Sequence, residues 1–431
     1  MREKKHQKIS FRKQLSIWTH QYWLTVSFLL LLLAHIFFQF YNLYPWIQFG
    51  WDQTDSAWAA KRIIIDHGLP LIGSVAKGNT GIFVGPLYYY YISIFYWFTN
   101  MSPIASPIAA GVASIITFIG LFFLVKKIFS PQVALIAVSI DTFSSFIIFG
   151  DRVQWQVSFV PIISVLIFYA LYRVLQGRVK FIILLALGIG LSLQAHFTSV
   201  FYFPILFLTL PFFPRRKSTI LYSIIGVGII FLFFLPIIIS NAQQHNSQAS
   251  SLANYLHTYY HGFHLRRVLQ LTHDAFIEYI LILRFQFVNY ICAIFLPLFS
   301  LIYYLRNRNR NSIFLIYLCW LWFLIPWLAF STYSGELTNY YFYMTRPIVL
   351  MTLGYMTYVL ILQRYFVVRL AIIGFWALYL YTNTLDFSSH QSYGLIDADK
   401  IARTHVQTGK PILPNQNIPE SYLYWLYTRG K

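Results

Sequence analysis

Apolar runs recur along the chain, most of them near the ~20 residues that carry an α-helix across a bilayer, with short polar segments between them. They fall at 23–41, 103–125, 133–149, 157–172, 181–195, 197–213, 220–240, 288–304, 313–330, 342–362 and 365–380. Strands of a membrane barrel would alternate instead, over about 10 residues each. The pattern therefore predicts an all-α polytopic membrane protein with about eleven transmembrane helices. One further apolar stretch, PLYYYYISIFYWF from Pro86, is short for a span and rich in aromatic side chains. It is expected to lie in the interface or re-enter rather than cross.

The basic residues decide the topology. Lys126/Lys127, Arg173/Arg178/Lys180, Arg215/Arg216/Lys217, Arg306/Arg308/Arg310 and Arg364/Arg369 all sit between apolar runs. If the stretch at 86–98 does not cross, a cytoplasmic N-terminus puts every one of these clusters inside, as the positive-inside rule requires. The chain then divides into a basic cytoplasmic tail (1–22), a transmembrane domain (23–383) with outer loops at 43–102 and 241–285, and a small extracytoplasmic cap (384–431). The first span is read as retained, since no small-residue cleavage site follows it.

Composition agrees. Of 431 residues, 58% are hydrophobic and 10% charged, against about 25% charged in soluble domains. The net charge of +19 does not indicate nucleic acid, because the basic residues are loop clusters rather than a basic domain. Cys292 and Cys319 lie inside apolar runs and give neither a disulfide framework nor metal spacing.

The polar chemistry gathers on the predicted outer face, above all in WDQTDSAWAAKRIIIDHGLPLIGSVAKGNTGIFVGPLYYYY at 51–91. Asp52 and Asp55, three apart, share one face of a helix or turn. Either can serve as general base, and the pair also suits a divalent metal, though nothing in the sequence requires a cofactor. Asp55, and less readily Asp52, can instead be the N-cap of a helix beginning near Ser56. Lys77, in a Gly-rich loop, suits a phosphate or is simply solvated. Arg152 beside Asp151 suits a lipid phosphate or pairs with its neighbour to fix a turn. His196 breaks an apolar run, as a functional group or as a turn histidine. Tyr340 and Tyr341 suit a sugar face or an aromatic belt, and Arg346 at the edge of the next span suits a phosphate. Asp141 is mid-span and must face the bundle. His257, His261 and His264 lack zinc-site partners.

Four stretches resemble the membrane-embedded GT-C glycosyltransferases, in the branch of protein O-mannosyltransferases and lipid A aminoarabinose transferases. They are WDQTDSAWAAKRIIIDHGLP, GPLYYYYISIF, GLSLQAHFTSVFYFPIL and LTNYYFYMTRPIVLM, in family order. The resemblance implies a GT-C fold and transfer of a sugar from a polyprenyl-phosphate carrier to a lipid, glycan or protein acceptor, outside the cytoplasmic membrane. It implies Asp52 as the base with inversion at the anomeric carbon, Asp55 as its assistant or alternative, and Lys77 as a phosphate contact. The chain departs from the family in having Asp52-Gln53 for an Asp-Glu pair and Gly85-Pro86-Leu87 for Pro-Pro-Leu. Two other classes fit the span pattern: a transporter or lipid flippase, and a surface-polysaccharide polymerase or ligase using the loop 241–284.

Overall fold

The computed structural model describes residues 11–76, 80–153, 155–244, 248–260, 262–263, 265–274, 295–389, 394–415 and 417–429. Among them the regular structure is helical apart from two isolated β-bridges. The helices are α1 (Phe11–Phe40), α2 (Trp51–Ile64), α3 (Leu87–Phe98), α4 (Ala105–Ile128), α5 (Pro131–Phe143), α6 (Ser145–Arg152), α7 (Val160–Leu175), α8 (Phe181–Ala195) and α9 (Tyr202–Thr209). They continue with α10 (Lys217–Gln244), α11 (Gln248–Tyr259), α12 (Leu265–Asp274), α13 (Phe295–Asn307), α14 (Arg310–Ser331), α15 (Arg346–Ile361), α16 (Phe366–Ser389), α17 (Gly394–Gln407) and α18 (Pro419–Thr428).

Among the described residues, six helices are long and apolar enough to cross a membrane, or seven if the bent pair α5–α6 counts as one span. Other predicted runs fall on shorter helices, such as α8 and α15; residues 288–294 of the run 288–304 lie outside the described residues. Faces of α1, α10 and α16 that touch no protein are apolar: Leu33 is 62% exposed, Val227 67% and Val367 76%. Surfaces like these would not persist in water, and they make the chain an integral membrane protein. The aromatic stretch after Pro86 forms the 12-residue α3, which rises only about 18 Å.

Two features go beyond what the apolar runs show. The run 133–149 is not straight: it bends by 68° at Ser144, whose backbone is extended and whose hydroxyl caps α6 by accepting from Ile147 N–H (3.3 Å). The break is braced from α16, where Asn383 Oδ1 accepts the Ser145 N–H (2.8 Å) and Asp386 Oδ2 lies 2.6 Å from the Ser145 hydroxyl. In addition, α16 runs on to Ser389.

The main core is formed by α4, α5, α7, α8, α14 and α15, with Phe118, Phe168, Leu315 and Trp322 fully buried. Asp141 is buried there, and among the described residues neither of its oxygens has a hydrogen-bond partner. A second core joins α2, α3 and the start of α4 to the C-terminal pair α17–α18 through Phe49, Trp58, Tyr96 and Tyr422. Lys126 and Lys127 end α4, Arg173 ends α7 and Arg306 ends α13. Arg310 begins α14, and Arg364 lies between α15 and α16. The opposite ends of the same helices carry α2, α3 and the groups described next.

Candidate functional site

The helix bearing the two aspartates starts earlier than its sequence suggested. Gly50 is its N-cap, and the Gln53 side chain reaches back to accept the Gly50 N–H (2.8 Å). Asp52 and Asp55 therefore lie inside α2, so neither caps a helix starting near Ser56. Their i, i+3 spacing does put both on one face, and the same face continues through Ala59 to Arg62.

That face forms one wall of a cleft of about 460 Å³. The second wall is a tight hairpin in which residues 73–76 pair with 82–84, bridged at Val75 and Phe83. Gly81, just before the second arm, has a φ of +70° that suits glycine. The hairpin is strapped down at both ends: Phe83 N–H donates to Gln248 of α11 (3.3 Å), and Leu87 N–H donates to Gln194 of α8 (3.3 Å). A Cβ at Gly85 would sit 1.9 Å from Gln194 Oε1, so a larger residue there would displace the amide that accepts the Leu87 N–H. The third wall is the turn between α14 and α15, with Glu336, Thr338, Tyr340 and Tyr341, and the C-terminal segment adds Asn417.

The two carboxylates differ in their partners. Asp55 Oδ2 accepts a short hydrogen bond from the Tyr89 hydroxyl of α3. Among the described residues no donor reaches the carboxylate of Asp52, and its side chain opens to the cleft. Both groups are pushed above the ordinary aspartate range. Desolvation by the surrounding walls is the main cause for each, even though the Asp52 side chain is exposed to the cleft itself. The charge of Asp55 raises Asp52 further, whereas the Tyr89 hydroxyl and the Arg62 charge pull Asp55 back. Tyr89 is raised in turn by burial and by Asp55, so it remains a protonated donor.

The other predicted site residues separate. Tyr340 and Tyr341 line the cleft, as the aspartates do. His196 does not line it. Its Nδ1 lies 2.9 Å from Thr198 Oγ1, and its ring backs Tyr340 and Tyr341 at 5.6 and 5.9 Å, so it is a turn histidine supporting the third wall. Arg346 is buried and bidentate to Asp151 of α6 (2.5 and 3.2 Å). Ser114 donates to the same carboxylate (2.6 Å), and His35 Nε2 lies 3.0 Å from Ser114. Asp151 therefore pairs with a residue 195 positions away rather than with adjacent Arg152.

Arg152 donates to the Tyr41 carbonyl (2.8 Å) and to that of Phe38, with its guanidinium 4.5 Å above the Trp46 ring. It lines a separate chamber of about 290 Å³ with Gln48, Trp155 and Tyr343, and Tyr340 is the wall common to both spaces. Lys77, His261, His264 and Cys292 lie outside the described residues. Arg62, Tyr89 and Asn417 were not singled out as site residues. The spacing 52, 55, 59, 62 would have pointed to Arg62 once the helix start was known, but nothing local in sequence points to Asn417. Among the described residues no three His, Cys, Asp or Glu side chains come together as metal ligands.

On its opposite face α3 meets α7 and α8 around an apolar groove of about 430 Å³, lined by Tyr88, Tyr91, Ile94, Phe159, Ile163 and Leu166 among others.

No protein-family model matches the chain, and no curated protein matches it in sequence. Solved structures match it in fold. ArnT from Cupriavidus metallidurans, solved bound to undecaprenyl phosphate, superimposes with a TM-score of 0.55 at 10% identity, covering 94% of this chain and 75% of ArnT. The archaeal oligosaccharyltransferase AglB from Archaeoglobus fulgidus, solved with an inhibitory peptide and a dolichol-phosphate, superimposes with a TM-score of 0.57 at 13% identity. That match covers 93% of this chain and 61% of AglB. Over nearly its whole length, the chain has the fold of the GT-C membrane glycosyltransferases.

Proposed function

We propose that the protein is a glycosyltransferase that moves a sugar from a polyprenyl-phosphate carrier to an acceptor at the extracytoplasmic face of the cytoplasmic membrane, with Asp52 as general base. The observation that carries the reading is the asymmetry of the carboxylate pair: both line one cleft, but Tyr89 occupies Asp55 and leaves Asp52 free. In the reaction, the acceptor hydroxyl gives its proton to Asp52 while its oxygen forms a bond to the anomeric carbon. The bond from that carbon to the carrier phosphate breaks on the opposite side, and the phosphate leaves with the electron pair. Attack from the face opposite the leaving group inverts the centre.

A general base supplies about 10²–10⁴ in rate, and the raised pKa of Asp52 makes it a better proton acceptor than an ordinary aspartate. Asp55 keeps the recess acidic. Arg62, in the same cleft, balances charge on the departing phosphate, a task also suited to Lys77. Asp151 holds Arg346 away from that task, which makes Arg346 a positioning residue for the wall formed by Tyr340 and Tyr341. The apolar groove behind α3 suits isoprenoid units of the carrier, consistent with undecaprenyl phosphate and dolichol-phosphate in ArnT and AglB. The reading requires no cofactor and accommodates a divalent metal at the carboxylates.

The basic clusters lie at the helix ends remote from the cleft. Under the positive-inside rule this supports a cleft on the outer side, and the reading takes the shorter apolar helices as crossings too, about eleven in all. The test is to incubate the purified protein with labelled polyprenyl-phosphate sugars and candidate acceptors. A labelled product with inverted anomeric configuration is expected. Carrier-linked sugar that crosses the bilayer without forming a glycoside would instead identify a flippase.

A further inference from the structure

Two cleft residues, from near the start and the end of the chain, are uncharged and have no task in the proton transfer. Trp51 opens α2 and is 53% exposed, whereas Trp58, two turns on, is 9% exposed and packed beneath the C-terminal hairpin. An indole left open in a cleft presents a large apolar face with negative π density, suited to the C–H face of a sugar ring. Asn417 offers an amide that donates and accepts at once, the pattern that reads adjacent hydroxyls. Neither group is a counter-charge for phosphate, a role that falls to Arg62.

The segment carrying Asn417 is built to hold still. Trp58 Nε1 donates to the Asn415 carbonyl (3.1 Å), and Ser421 Oγ lies 2.6 Å from the same oxygen. The Asn417 N–H donates to Asn415 Oδ1 (2.9 Å). The hairpin beneath is locked by Tyr422, fully buried, whose hydroxyl donates to the Met101 carbonyl (2.8 Å), and by the Leu395 N–H donating to the Ile47 carbonyl (3.0 Å). A residue whose backbone N–H is held by Asn415 Oδ1, itself next to a doubly held carbonyl, loses less freedom when a ligand binds. The C-terminal hairpin thus completes the cleft rather than merely covering it.

We infer that Trp51 and Asn417 form a sugar-ring subsite of the cleft, with Trp51 as the platform and Asn417 as the reader of ring hydroxyls. The inference rests on the glycosyl-transfer reading and adds the part of the substrate that these two residues hold.

The test uses the full-length protein in membranes and whichever lipid-linked sugar it transfers, comparing kcat/KM per folded molecule for wild type and variants. Trp51→Ala and Asn417→Ala should each lower kcat/KM by about tenfold, the loss of one good contact. Trp51→Phe should keep most of the activity, and thermal unfolding of Asn417→Ala should match wild type. Values for Trp51→Ala and Asn417→Ala within about twofold of wild type, with Asp52→Asn inactive, would overturn the subsite and leave the proposed function standing. Lower membrane insertion of Trp51→Ala with unchanged kcat/KM would make Trp51 an interfacial anchor and also overturn it. Failure of the wild type to transfer any lipid-linked sugar would remove the proposed function, and the subsite with it.

Discussion

Arg346 separates two accounts of the site, and its removal tells them apart. If it holds substrate phosphate, Arg346→Ala leaves the fold intact and weakens the donor. The structure assigns it another place: both guanidinium nitrogens on Asp151, at 2.5 and 3.2 Å, with side chains only 9% and 5% exposed. Deleting the cation strands a buried carboxylate whose remaining donor is the Ser114 hydroxyl. Breaking such a pair by removing one partner costs about 3–5 kcal/mol, because the other charge stays buried and uncompensated. Removing both charges, as in Asp151→Asn with Arg346→Ala, should cost less than the sum of those two single changes, with a coupling of about 1–3 kcal/mol. Thermal or denaturant unfolding of the four proteins in one detergent measures the cycle. The reasoning is refuted if Arg346→Ala unfolds within about 1 kcal/mol of wild type, or if its defect is confined to a higher KM for the lipid-linked donor.

Other consequences follow from the cleft. Asp52 acts as a base only when ionised, and its pKa is raised, so kcat/KM should begin to fall at a higher pH than for an ordinary aspartate as the solution is acidified. Asp55→Asn removes the negative neighbour that raises Asp52, so the acid limb of the pH–rate profile should move to lower pH; an unmoved limb would uncouple the two carboxylates. Arg62→Ala should cost about 10²–10³ in kcat, the usual loss of a charge-stabilising donor. Arg62→Lys should recover part of it, and wild-type turnover in the alanine variant would assign the leaving phosphate elsewhere.

The helical skeleton was legible because lipid imposes it. A run such as 181–195 must satisfy its own backbone groups, and it is a helix over those same residues, Phe181–Ala195. The short aromatic α3 was legible from length alone. The shared face of Asp52 and Asp55 was also legible, since an i, i+3 spacing survives an error in where the helix begins. That error arose because Gly50 gives little local cue to a cap whose partner is the Gln53 side chain. The break at Ser144 was hidden inside a continuous apolar run, because its supports come from Asn383 and Asp386 on α16. The pairing of Asp151 with Arg346, and the arrival of Asn417 at the cleft, depend on contacts between residues hundreds of positions apart. Periodicity carries no record of such contacts, so neither could be read from the sequence.

The central claim is that the free carboxylate of Asp52 removes the acceptor proton. Its most direct test is the single-turnover rate of Asp52→Asn with donor and acceptor saturating and donor binding measured in parallel. The account predicts unchanged donor binding with the rate reduced by about 10²–10⁴, and with no recovery at higher pH. Transfer by Asp52→Asn at the wild-type rate would contradict it.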